Sequence, residues 1–520
     1  NGVIHARVVD IFSQRPELPP RLSYTGNKSW KQMLDEASEV GLLTAVGGSS
    51  YAIHPALPAY LVNQWRAEDP DTYAEQHESA RLALLHAYAA FADWASYQID
   101  SADAAYAMSM IDQQRRTLGD LLGYALDNQH WGEAQTIAQA LNIYWDARGW
   151  YREASDWADQ ARRVLETGNG TPPALDDPAG SLWLFLLMTQ ADHQRKTGQL
   201  DSAERTFLRI RDLLVTEPES ASQRNHLAMT YSAFGAIANE RGLFDDADRW
   251  YRKALTIQEE LGKRTSAAGT YHNLGLVSQG RGDLDKGETW LRQALTILEE
   301  LGDRSGAAGT YHQLGVSAQL RGQLNKSEYW HCKALTTRAE LGQRAGVATS
   351  YLELGALALR QGQLDKAEAS LRQALIITEE LGHRTEVAVC CRQLGILARL
   401  QNQPDQAEAW FHQALTIGKQ LGNRLHTAHS FLELGQLAYQ RDRNPEALEW
   451  MVRATSLFDE VQNPVTQVGT LFLGLLTATL GADALERCWL KVTGKPVPAQ
   501  VRAKVVTDQS HPTQPGEESG

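Results

Sequence analysis

Cysteine is scarce in this 520-residue chain, and none of it is paired by spacing: Cys332, Cys390, Cys391 and Cys488 form no CxxC motif. Cys390 and Cys391 are neighbours in a helical pattern, so their side chains diverge by about 100°. They read as reduced, small core residues rather than a redox or metal pair, which fits a reducing, cytoplasmic setting. Long apolar runs are missing too. The nearest, Val468 to Leu480, contains Gly and Thr and falls short of the roughly 18 residues a spanning helix needs. Neither a membrane span nor a signal peptide is expected. There is no GxxxxGK[ST] loop; Gly494-Lys495 runs into Pro496 without the upstream Gly. Positive charge is outnumbered, with a formal net charge of -13, which disfavours nucleic acid or an anionic membrane as a partner for the molecule as a whole. No Ser/His/Asp or Cys/His arrangement stands out. His426 and His429 lie three apart on one helix but lack a third ligand at suitable spacing. The chain is expected not to be an enzyme and to hold no metal or cofactor of its own.

What the chain has is repetition. Residues 254–275 and 294–315 agree at 17 of 22 positions. The period is 40, and it is strict: Gly235, Gly275, Gly315, Gly355, Gly395 and Gly435. Four positions before each stand Tyr231, Tyr271, Tyr311, Tyr351, Cys391 and Phe431, and one position before stands Phe234 or a Leu. That spacing is a helical stripe. A mid-helix Gly costs roughly 1 kcal/mol against Ala, so six in register predict a neighbouring helix too close for a Cβ. Breaks follow at Gly242, Gly282, Gly322, Gly362, Asn402 and Asp442, which suit a left-handed cap. Asp245, Asp285, Asn325, Asp365 and Asp405 are expected to N-cap a second helix. That helix carries small residues at 247 and 254 and their equivalents, ends at a Leu-Gly pair, and is followed by an Arg at 264, 304, 344, 384 and 424. Each unit is a helical hairpin that buries its stripe only by stacking on the next.

This pattern resembles the tetratricopeptide repeat (TPR), carried by the Leu-Gly pair of the first helix, the aromatic four residues before the Gly and the small residues of the second helix. The unit is 40 residues rather than the usual 34, like the long repeats of kinesin light chains and bacterial signalling ATPases. The resemblance implies an all-α fold, a right-handed TPR superhelix (α-solenoid). Weaker units precede it, at Gly198-Gln199-Leu200-Asp201 and Gly149-Trp150-Tyr151-Arg152.

Residues 30–61 differ. Trp30, Met33, Leu34, Ala37 and Val40 make a helical stripe ending at Gly41. Two short apolar stretches flank a Gly-Gly-Ser-Ser turn, and His54-Pro55 opens another helix. Helix, hairpin, helix is a winged-helix pattern. It resembles the winged helix of STAND signalling NTPases, the NB-ARC and NACHT relatives, in which a nucleotide-binding domain comes first and a helical linker and repeat sensor follow. Residues 122–161 are similar to that linker. The chain begins at Asn1 and looks like a piece of something longer. The resemblance implies that His54 senses the phosphate of ADP in the intact protein, although Pro55 stands where the family motif has Asp. ADP or ATP then enters only with an upstream nucleotide-binding domain.

The expected organisation is a winged-helix-like domain at 1–66 and a helical linker with irregular hairpins at 67–167. A Gly/Pro-rich loop follows at 168–180, then a degenerate TPR at 181–221 and six 40-residue units at 222–461. Capping helices at 462–506 and a disordered tail at 507–520 close the chain. In TPR arrays the first helices line the concave groove. By position that lining includes His272, His312, Leu352, Arg392 and Leu432, and Gln279, Gln319, Leu359, Arg399 and Tyr439, with Arg360 adding charge. Arg392 and Arg399, seven apart, share a helix face suited to an acidic group. Trp250, Trp290, Trp330, Trp410 and Trp450 recur at the period and are read as packing. The function expected is a sensor that binds a protein or peptide in the groove and reports to a nucleotide switch; the alternative is a constitutive TPR adaptor without nucleotide control.

Overall fold

The computed structural model describes residues 3–23, 28–47, 49–54, 56–98, 104–166, 171–216, 220–460, 466–499 and 501–502. Pro55, residues 167–170 of the Gly/Pro-rich loop and the tail from 507 lie outside them. The chain forms two compact units, Asn1–Leu301 and Gly302–Gly520.

The first unit opens with a small α/β region: β1 (Val3–His5), α1 (Ala6–Ser13), α2 (Trp30–Glu39), β2 (Leu43–Gly47), β3 (Ser50–Ile53) and α3 (Ala56–Glu68). The helix–hairpin–helix expected over 30–61 is present. An added strand, β1, pairs antiparallel with β3 to give the order β1-β3-β2, with Ile4 opposite Tyr51. Leu34, Leu43, Tyr51 and Ala6 form its core, and Ser29 closes a capping box with Gln32 at the head of α2. Then come α4 (Tyr73–Gln98), α5 (Ala104–Asp127), α6 (Trp131–Arg148), α7 (Tyr151–Leu165), α8 (Pro178–Lys196) and α9 (Leu200–Thr216). The region is anchored to them. Val8 sits in the same core as Leu85 and Phe91, and the Arg7 guanidinium lies 3.9 Å from the Trp94 ring centre.

The regular hairpins begin with α10 (Ala221–Glu240) and α11 (Phe244–Glu260), then α12 (Arg264–Gly280) and α13 (Leu284–Leu301). In the second unit the pairs are α14 (Arg304–Leu320) and α15 (Leu324–Glu340), α16 (Arg344–Arg360) and α17 (Leu364–Leu381), α18 (Arg384–Leu400) and α19 (Pro404–Gln420), and α20 (Arg424–Gln440) and α21 (Asn444–Glu460). Two further helices, α22 (Thr466–Leu480) and α23 (Ala482–Thr493), pack on the last pair through Leu473, Leu476, Leu485 and Trp489. The fold is a helix-pair array with a small N-terminal α/β region. Among the described residues no helix is long and apolar enough to cross a membrane.

The recurring glycines mark where the two helices of a hairpin cross. A Cβ built on Gly275 would lie 2.7 Å from Leu291, on Gly315 2.7 Å from His331, on Gly355 2.7 Å from Leu371 and on Gly395 2.5 Å from Phe411. The obstructing side chain always sits 16 residues on and is buried. The periodic Trp rings stack beside this crossing, on Tyr231, Tyr271, Tyr311 and Phe431 at centroid distances of 5.5–5.8 Å.

The hairpin turn is tighter than the sequence suggested. Gly242, Gly282, Gly322, Gly362, Asn402 and Asp442 all adopt positive φ. The next residue both closes the first helix, as in Leu243 N–H to Ala238 O at 2.8 Å, and precedes the second. Asn325 therefore lies inside the first turn of its helix, as do the aspartates Asp245, Asp285, Asp365 and Asp405, and none of them is the N-cap expected. The aspartates act on the helix dipole and on neighbouring arginines: Asp245 meets Arg281 at 2.5 Å and Asp405 meets Arg441 at 2.6 Å. The Arg opening each unit also has a partner. Arg224, Arg264, Arg304 and Arg344 pair with Glu260, Glu300, Glu340 and Glu380, and Arg384 bonds Gln420.

Two outcomes follow from this packing. Gly395→Ala drives a methyl into the buried Phe411 ring and should destabilise by roughly 1–3 kcal/mol. Gly309→Ala, in a helix with nothing within 4 Å of the added Cβ, should instead stabilise by about 1 kcal/mol; thermal melting of both variants checks the pair. His331 is fully buried, and neither ring nitrogen has a hydrogen-bond partner among the described residues. Burial, with His312 and Arg338 nearby, pushes it down to about 3. The unfolded His protonates near about 6.5, so below that pH the unfolded chain takes up a proton that the native one refuses. Stability should fall by about 1.4 kcal/mol per pH unit from this residue as pH drops from about 6.5. His331→Leu, the residue found in the equivalent slot at Leu291 and Leu371, should flatten that slope. Melting curves at pH 7 and pH 5 test it.

Candidate functional site

Each first helix packs one stripe against its own second helix and carries another row beside it. In the second unit the outward positions of α14, α16, α18 and α20 are mostly half-buried. The core stripe repeats from unit to unit, whereas this face changes. One row runs His312, Leu352, Arg392, Leu432, and the position just before the Leu-Gly pair runs Gln313, Glu353, Gln393, Glu433.

The residues expected to line a groove separate into two groups. Leu352 and Leu359 pack on the cluster of Ala358, Leu371, Leu394 and Leu397. Leu432 is buried in the core of the last hairpins, and the Tyr439 ring meets Phe472 edge-on at 5.7 Å. These four serve largely as seams between helices. Gln319 is half-buried, with Oε1 lacking a hydrogen bond among the described residues. His312 lies 5.3 Å from the His331 ring. Arg360 is exposed at the end of α16 and faces Glu353, whose carboxyl burial pushes up. In the first unit, His272 and Gln279 occupy α12, both half-buried; burial lowers the basicity of His272.

Arg392 and Arg399 do come together, as their spacing on α18 predicts. They converge on Glu433 of α20: Arg399 Nη2 is 3.4 Å from Oε2 and Arg392 Nη1 is 3.9 Å from Oε1. Glu433 escapes a reading of the sequence that follows one stripe, because it lies one residue beyond Leu432. The position holds an amide at Asn273, Gln313 and Gln393 and a carboxylate at Glu353 and Glu433. Burial holds the Glu433 carboxyl above the usual range against the pull of the two arginines. His429, beside Arg392, is pushed down to about 4 by burial and that charge, and His426 is lowered likewise. Among the described residues no three His, Cys, Asp or Glu side chains are grouped to hold a metal ion. Cys390 and Cys391 are buried, and burial pushes their thiols up to about 11 and about 12, so both are poor nucleophiles.

Two further features lie in the first unit. His54 is exposed and caps α3: its Nδ1 accepts the Ala56 N–H at 3.3 Å. An open cleft of ≈ 580 Å³ is lined by Trp150, Arg152, Glu153, Asp156, Trp157 and Gln160; the Arg115 guanidinium lies 4.7 Å from the Trp150 ring centre.

Residues 221–263, 266–340 and 346–420 match the tetratricopeptide repeat family. No curated protein matches the chain. Among solved structures it is similar to BtubC from P. vanneervenii, at 23% identity over 45% of this chain and 92% of that one, TM-score 0.38. It is also similar to the apo quorum sensor NprR from B. thuringiensis, at 12% identity over 71% and 99%, TM-score 0.48. A third likeness is to a STAND protein with a tetratricopeptide repeat sensor from Pyrococcus horikoshii, at 12% identity over 87% and 74%, TM-score 0.42. The crossing glycines, the turn and the stacked pairs are those of this repeat, and residues 221–420 form a tetratricopeptide-repeat array.

Proposed function

We propose that the first-helix faces bind a peptide or protein segment, and that the chain is the sensor portion of a STAND-type signalling protein whose nucleotide-binding domain precedes it. The observation that carries the binding part is the contrast within one repeat. The Leu-Gly pair at each crossing is nearly invariant from hairpin to hairpin, while the row beside it changes from His to Leu to Arg. A row that changes in charge and polarity while the crossing stays fixed suits a face that reads a ligand.

Support for the switch lies in the α/β region and its attachment. Because His54 Nδ1 accepts a backbone N–H, its proton sits on Nε2, where it can donate to a phosphate presented by a neighbouring domain. The region is coupled to the helices behind it. Ser79 Oγ donates to Glu17 O at 2.6 Å, and His86 lies 3.1 Å from Glu17 and 3.6 Å from Glu133. A ligand that prefers one arrangement of the hairpins shifts the population of states, and these contacts join the region that bears His54 to the helices behind it. In this reading the chain binds and transmits, and ADP or ATP belongs to the preceding domain.

The test is His54→Ala in the full-length gene product. Loss of the phosphate contact should lower the fraction of protein that retains ADP through gel filtration, by about tenfold in affinity for a contact of about 1.4 kcal/mol, and raise basal output. Unchanged ADP retention overturns the role of His54. A gene without an in-frame P-loop domain upstream of Asn1 leaves the constitutive adaptor instead.

A further inference from the structure

One hairpin departs from its neighbours where its two helices meet, one residue off the row that carries His312, Leu352 and Arg392. In four regular hairpins a ring of the first helix is covered by a tryptophan of the second. Trp250 lies on Tyr231, Trp290 on Tyr271 and Trp450 on Phe431, each at 5.5 Å between ring centres, and Trp330 on Tyr311 at 5.8 Å. A lysine leans over two of these rings, Lys253 over Tyr231 and Lys333 over Tyr311, the latter at 4.2 Å from the ring centre. The hydroxyl can be engaged as well: that of Tyr271 donates to Glu259, 12 residues before it, at 2.6 Å.

In the pair α16–α17 the first helix keeps its ring, Tyr351, and loses each of these partners. Ser370 stands at the tryptophan position, Gln373 at the lysine position and Ala339 at the carboxylate position. Among the described residues no ring lies against Tyr351 and no hydrogen bond reaches its hydroxyl. Tyr351 and Ser370 are both half-buried, so neither is sealed off by its neighbours. The next hairpin makes the opposite change, Cys391 in place of the ring, yet there Trp410 packs on the cluster of Val387, Ala388 and Cys391. Only the α16–α17 pair, among the described hairpins, leaves a tyrosine without the stacking and the hydrogen bond that its equivalents make.

We infer that Tyr351 and Ser370 form a notch that docks one aromatic side chain, an indole, of a partner protein. The other hairpins say what fits: a flat ring laid on the tyrosine, in the place their own tryptophan fills, with a hydrogen-bond acceptor beside it for the phenol O–H. The site lies outside the first-helix row proposed to take a peptide and does not depend on that reading.

The test uses the full chain labelled with meta-fluorotyrosine, the Tyr351 fluorine signal being assigned by its loss in Tyr351→Phe. N-acetyl-tryptophan amide is titrated in, with N-acetyl-leucine amide as the control; a single ring is expected to bind at about millimolar strength. The tryptophan amide should shift the Tyr351 signal saturably and the leucine amide should not. Ser370→Trp restores the internal stack. It should move the Tyr351 signal without any ligand, raise the melting temperature and weaken binding of the tryptophan amide by at least about tenfold. If that variant melts below wild type, Ser370→Phe makes the same comparison with a smaller ring. A Tyr351 signal unmoved by the tryptophan amide overturns the proposal. So does an equal shift with the leucine amide, or binding to the plugged variant as tight as to wild type.

Discussion

The array depends on one close crossing. In each hairpin a glycine on the first helix meets a buried side chain 16 residues on, at a separation that no Cβ tolerates. The partner differs, being Tyr251, Leu291, His331, Leu371, Phe411 and Met451 in turn. The glycine does not. The constraint is thus set by backbone proximity, and the side chain that fills the space is open to variation in shape and chemistry. Once the two axes are this close, the small residues at 247, 287 and 327 and the ring stacked beside the crossing follow. A neighbouring hairpin is then needed to cover the remaining stripe.

Charge works around that geometry. An Arg at the head of a first helix and a Glu at the tail of a second each face the wrong end of a helix dipole. The antiparallel hairpin brings these two ends together, so Arg264 and Glu300, or Arg344 and Glu380, offset one another. About half of each side chain remains exposed, so a pair contributes at most about 1 kcal/mol. Its value is in register, since it recurs at every turn of the array. Arg384 with Gln420 shows the same geometry surviving without the charge.

Much of this was legible in the sequence, because packing writes itself at fixed spacing. The glycine stripe, the hairpin turns and the tryptophan packing could all be read from the period. The reading failed where a position serves two elements. Asp245 and Asp405 resemble caps, but the turn is so short that the cap falls on Leu243 and Gln403. The strand Val3–His5 is too brief to show a period and is fixed by its pairing with β3. At the candidate site, Arg392 and Arg399 stood out by charge and spacing. Leu352, Leu359 and Leu432 have the spacing of groove residues, yet the seams between helices claim them. Glu433 hid because it belongs to the adjacent row, and its meaning comes from α18 rather than from its own helix.

The Arg392–Glu433–Arg399 cluster is informative because the fold does not require it. Equivalent positions in neighbouring hairpins hold His312, Leu352 and Leu432 in one row and Gln319, Leu359 and Tyr439 in the other. The crossing is made whichever of these is present, since Gly315, Gly355, Gly395 and Gly435 each meet a buried side chain 16 residues on. Burying two guanidiniums around a single loosely held carboxylate lowers stability where a leucine would raise it. A repeat that solves its packing the same way six times has a cheap apolar answer at hand, and at this place the chain does not use it. The six hairpins thus share one packing solution, while the row beside it varies from hairpin to hairpin.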